Sequence, residues 1–165
     1  TNTYGPFLAE NQYALSQSFS IAISGSASYT FKGISGNESV ISDDTIHLAG
    51  ILDHFQFALA SPQTLDLGVA TFSGTNQLFA RDYYAQAAAV GSDVTLTVNS
   101  GPDGTITGLG SGGGNVLQPI DFDGDMCNLT GMVFEAQGDV SPRTFKAVSN
   151  DSKQGISNEV SFTLP

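Results

Sequence analysis

Apolar and polar residues alternate with a period of two along most of this chain, the pattern of strands that bury one face. Residues 18–24 set Phe19, Ile21 and Ile23 on one side. Residues 28–32, 45–49 and 55–59 follow the same rule, and 64–72 keeps it over nine positions. The clearest case is 93–98, where Val94, Leu96 and Val98 face one way and Thr95 and Thr97 the other. Residues 99–104 then read as a turn, because Pro102 presets φ and Asp103-Gly104 tolerates a positive φ. Residues 105–109 are therefore expected to return as the hairpin partner of 93–98. Further strands are predicted over 115–120, 131–137, 143–149 and 156–164.

One stretch departs from this period. Residues 77–89 are rich in Ala and predict a short helix, although the Tyr83-Tyr84 pair fits a strand as well. Strands and helical patterns do not alternate elsewhere, so a parallel α/β sheet is not expected. The expected fold is all-β: an antiparallel β-sandwich, Ig-like or jelly-roll-like, of about ten short strands. At 165 residues the chain fits one sandwich domain spanning 1–165, with 1–15 as an N-terminal arm.

Composition narrows the class of job. Hydrophobic residues make up 40% and charged residues only 13%, which gives a core and a surface polar through hydroxyls and amides. Sixteen acidic residues face five basic ones, for a net charge of −11. Binding nucleic acid needs a basic stripe, so that class is excluded. No apolar run reaches the length of a membrane span. The single cysteine, Cys127, rules out a disulfide or a cysteine-based metal site within one chain and reads as a small buried hydrophobe. A start at Thr1 without Met reads as a processed product whose leader has been removed, and with the composition this points to an extracellular or cell-surface protein.

Candidate chemistry is sparse. Asp121, Asp123 and Asp125 place three carboxylates in five residues around Gly124, and oxygen ligands at alternate positions suit calcium. The same Asp-Gly is also a hairpin corner. His47 and His54, with Asp53 beside the latter, are the chain's two imidazoles and read as surface residues rather than a catalytic pair. No strand–G-x-S-x-G–helix context marks a hydrolase, and an enzyme is not expected. N-glycosylation sequons stand at Asn37, Asn128 and Asn150.

Phe145, Ala147, Val148, Asn150, Gly155 and Ser157 form a pattern that resembles the last two strands of a fibronectin type III or related Ig-like module. The resemblance covers about twenty residues of the 165 and implies that those strands pair at the end of an Ig-like sandwich. Two functions from different classes follow. One is an extracellular structural or adhesive subunit of a filament, pilus or coat, with itself as partner. In that reading the arm residues Tyr4, Phe7, Leu8, Tyr13 and Leu15 complete a neighbour's sheet by strand addition. The alternative is a calcium-assisted, lectin-like module that binds glycans. The chain lacks Trp, so a sugar platform would come from Tyr or Phe, and Tyr83 and Tyr84 are the candidates.

Overall fold

A computed structural model describes residues 28–30, 32–35, 38–41, 46–47, 50–60, 64–66, 68–136 and 138–164. The chain divides into two compact units, Thr1–His47 and Leu48–Pro165. In the first, β1 (Ser28–Tyr29) pairs antiparallel with β4 (Ile46–His47), and β2 (Lys32–Ser35) pairs antiparallel with β3 (Glu38–Ile41). The predicted strand at 18–24 and the arm at 1–15 lie outside the described residues.

The second unit is all-β and sandwich-like. One layer is a four-stranded sheet in the order β11 (Val116–Leu117), β9 (Val94–Ser100), β15 (Thr144–Ser149), β16 (Gln154–Ile156). The other is built around two strands that kink but stay paired. β7 (Val69–Thr71) and β8 (Gln77–Arg81) run beside β14 (Val133–Ala136) and β13 (Met126–Asn128), respectively. Between the pairs the ladder continues through Phe72 N–H to Met132 O (2.9 Å) and Leu129 N–H to Asn76 O (2.8 Å). The fully buried Asn76 fixes the kink. Its Oδ1 accepts the Ala60 N–H at 3.0 Å, and its Nδ2 donates to the carbonyls of Ser73 and Gly74. β5 (His54–Ala58) flanks β8, β10 (Gly104–Thr107) flanks β14, and β12 (Phe122–Asp123) flanks β13.

The core explains why the alternation is so regular. β15 turns Phe145 and Ala147 inward and β9 turns Val94 and Leu96 inward, all fully buried. Phe134 from the facing layer meets Phe145 edge-on at 5.2 Å between ring centroids. Phe72 meets Phe145 at 5.5 Å. Such T-shaped pairs add to the burial itself. At one margin the layers come very close, and Gly155 makes this possible. A Cβ there would lie 2.6 Å from the Phe55 carbonyl carbon and 2.8 Å from Phe55 Cβ.

Four expectations are corrected. Residues 77–89 form no helix: Gln77–Arg81 is β8, with Leu78 and Ala80 fully buried and the residues between them facing the other way. Partners on both sides of the strand outweigh the helix propensity of the Ala-rich run, a case of tertiary context overriding a weak local preference. The hairpin expected between 93–98 and 105–109 does not form either. β9 pairs with β15 and β11, whereas β10 pairs with β14 in the other layer. The turn is present, but it carries the chain across the sandwich. Gly101 (φ +92) lets the backbone pass beside Pro142, and the fully buried Arg143 holds the crossing. Strand pairing is not wholly antiparallel, since β17 (Ser161–Thr163) runs parallel to β6 (Thr64–Asp66). Finally, seventeen strand segments occur among the described residues, many of two or three residues, and several, such as Glu38–Ile41, Phe122–Asp123 and Met126–Asn128, lie where no strand was expected. Gly68 (φ +113) breaks the run expected over 64–72.

Candidate functional site

The acidic run at 121–125 resolves into structure-bearing contacts. Asp121 ends a 3-10 turn (Pro119–Asp121) and accepts the Gln118 and Ser111 N–H groups, each at 2.8 Å. The Gln118 contact, more than the opposing effect of burial, holds its carboxyl below the usual range. Asp123 pairs with Met126 across a two-residue corner, Gly124-Asp125, and Asp125 forms an ion pair with Arg81. The run is therefore a hairpin corner. Among the described residues no group of three His, Cys, Asp or Glu is placed to hold a metal ion.

Arg81 is where polar and charged side chains gather. The register of the sheet sets His54 opposite Arg81 and Gln56 opposite Phe79, so these residues share the outward face. Three groups fix the guanidinium. Asp125 pairs with Nη1, Gln56 Oε1 accepts from Nε at 3.3 Å, and the Phe79 ring lies 4.6 Å beneath it. His54 Nδ1 lies 3.1 Å from Asp53 Oδ2, and the Asp53 N–H donates to the Arg81 carbonyl at 2.8 Å. A planar guanidinium, an amide, an imidazole and carboxylates thus stand at one end of β5 and β8.

The loop that follows Arg81 is unusually constrained. Asp82 is fully buried, and its carboxylate accepts three backbone N–H groups: Gly50 at 2.8 Å, Tyr84 at 2.9 Å and Gln86 at 2.8 Å. The Gly50 contact comes first in depressing its pKa, burial opposes it, and the nearby His54 adds a smaller lowering effect. The loop closes with Arg81 bridged to Ala87. Ala85 adopts φ +58, a left-handed conformation that an alanine rarely takes and that surrounding contacts must impose. Within this loop Tyr83 and Tyr84 stand 53% and 52% exposed, their rings edge-to-face at 5.4 Å.

His47 belongs to the first unit and His54 to the second. Cys127 is buried, and burial first, then the Asp121 charge, pushes its thiol up to about 11. Of the sequons, Asn128 and Asn150 lie exposed; Asn128 Oδ1 accepts the Thr130 N–H at 2.9 Å. Asn37 and the arm residues Tyr4, Phe7, Leu8, Tyr13 and Leu15 lie outside the described residues. Sequence reasoning missed Arg81 and Asp82 because 77–89 was expected to be helical, and missed Gln56 because its place opposite Phe79 depends on the register of β5 with β8. The alternation of Leu78 and Ala80 with Phe79 and Arg81 was the signal that could have found the first two.

The strands behind the fibronectin type III resemblance do pair, with Ala147 opposite Gly155, and Ser157 Oγ accepts the Phe145 N–H at 2.9 Å. Among the described residues no helix is long and apolar enough to cross a membrane. No protein-family model matches the sequence, and no curated protein matches it significantly.

Proposed function

We propose that this protein is an adhesive, carbohydrate-binding module of the cell surface or extracellular space, and that its site is the Tyr83–Tyr84 loop with the Arg81 cluster. One observation carries the reading: the loop bearing two half-exposed tyrosines is tied by a buried carboxylate, through the Tyr84 and Gln86 N–H groups, directly beside a guanidinium–carboxylate pair. A sugar ring offers an apolar C–H face and a rim of hydroxyls that both donate and accept. Tyrosine gives such a ligand a rigid amphipathic surface. The Arg81 guanidinium donates, the Asp125 carboxylate accepts, and Gln56 and His54 extend the set. Strands and a locked loop keep these groups in place before the ligand arrives, which lowers the entropic cost of binding.

Binding to a broad glycan array, repeated with Tyr83→Ala/Tyr84→Ala and with and without calcium, tests this reading. Wild-type protein is expected to bind a subset of glycans and the double variant to lose it while melting at the same temperature. Absence of wild-type binding across the array would overturn it. The assembly reading rests on residues 1–15, and no described geometry carries it.

A further inference from the structure

The charges around the loop say which sugars it would take. Three carboxylates, Asp53, Asp82 and Asp125, stand against one guanidinium, Arg81, at this end of β5 and β8. The Arg81 charge is already matched by Asp125, with side chains 19% and 26% exposed. Asp53 engages His54 and is itself 36% exposed. An incoming sulfate or uronate would therefore meet a guanidinium that has its counter-ion and carboxylates that repel it. An uncharged sugar meets the same groups without that repulsion. Two neighbouring hydroxyls of a ring match the Arg81–Asp125 pair, one donating to the carboxylate and the other accepting from the guanidinium.

Resting on the carbohydrate-binding reading, we propose that the site selects uncharged glycans bearing adjacent ring hydroxyls and rejects sulfated or uronic ones, with Asp53 and Asp125 as the residues that set this choice. Asp125 acts in two ways: it accepts from the ligand and it neutralises Arg81. Asp53 acts through its charge and orients His54 by the 3.1 Å contact to Nδ1. The two substitutions should therefore separate. Asp125→Asn frees the guanidinium, weakens the neutral ligand and admits the anionic one. Asp53→Asn keeps an oxygen for His54 but removes the charge, so it narrows the discrimination chiefly by easing the repulsion of the anionic ligand.

The experiment is titration of the full chain with a neutral oligosaccharide chosen from the array and with its sulfated counterpart, at low and at physiological salt. Wild-type protein should bind the neutral ligand at least tenfold more tightly, with the gap shrinking as salt screens the carboxylates. Asp125→Asn should close or invert the gap, and Asp53→Asn should reduce it. Equal or tighter binding of the sulfated ligand by wild-type protein would overturn the proposal while leaving carbohydrate binding intact. So would an unchanged gap in both variants. An array on which no glycan binds, or on which the tyrosine double variant binds like wild type, would instead sink the underlying reading.

Discussion

Arg143 is the residue whose removal the fold should feel most sharply. It is fully buried, which costs the guanidinium its hydration and pushes its pKa down, while the Asp139 charge acts in the opposite sense. Its donors reach the carbonyls of Pro102 (2.8 Å), Ser141 (3.0 Å) and Asp139 (3.1 Å), and its Cζ lies 4.4 Å from the Phe162 ring centroid. It thereby ties the β9–β10 crossing to the segment before β15. In Arg143→Met the aliphatic volume is kept and these hydrogen bonds are lost. A bond from a charged donor contributes about 1.5–3 kcal/mol. Asp139 and Ser141 are exposed residues, so water reclaims their carbonyls, and relief of the buried charge offsets a further part. The expected net loss is about 2–3 kcal/mol. At about 3 °C per kcal/mol for a chain of this size, the melting temperature falls by about 8 °C. In urea the midpoint should drop by about 1–2 M with the slope unchanged, followed by circular dichroism. Arg143→Ala adds a cavity and should cost about 5 kcal/mol. Buried ion groups are sometimes replaced by apolar ones at no loss. An Arg143→Met protein as stable as wild type would therefore refute the clamp.

Two further outcomes are expected. Gly155→Ala forces a Cβ into the Phe55 backbone and should destabilise by about 3 kcal/mol, since overpacking here cannot be relieved by a rotamer change; an unchanged thermal melt would contradict the close approach. Asp82 has a folded pKa below its ordinary 3.8, because the Gly50, Gln86 and Tyr84 N–H groups stabilise the carboxylate. Its contribution is therefore fully present above about pH 4 and is lost as pH falls through the depressed value. Hydrogen exchange at the Tyr84 and Gln86 amides should report this acid-side loss, and Asp82→Asn should remove both the protection and its pH dependence. Persistence of the acid-side transition in Asp82→Asn would assign it to another group.

The all-β class was legible because a strand that buries one face must alternate, and Val94, Leu96, Phe145 and Ala147 do so without reference to any partner. Turn chemistry was legible too: Pro102-Asp103-Gly104 turns the chain, and Gly124 forms a corner at φ +66. What a turn connects is another matter. Local chemistry bends the backbone, but the layer that receives the next strand depends on distant groups, here Arg143 for the crossing and Phe134 and Val133 for the pairing of β10. The helix expected over 77–89 failed for the same reason, because propensity is a fraction of a kcal/mol per residue and burial of Leu78 between partner strands outweighs it. The candidate site shows the limit most plainly. Tyr83 and Tyr84 were visible as aromatic neighbours in the sequence. Only folding supplied Gln56 from β5, Asp125 from the hairpin corner and Gly50's N–H for Asp82, since contacts over such separations are set by strand register, and register is fixed by which faces can be buried together.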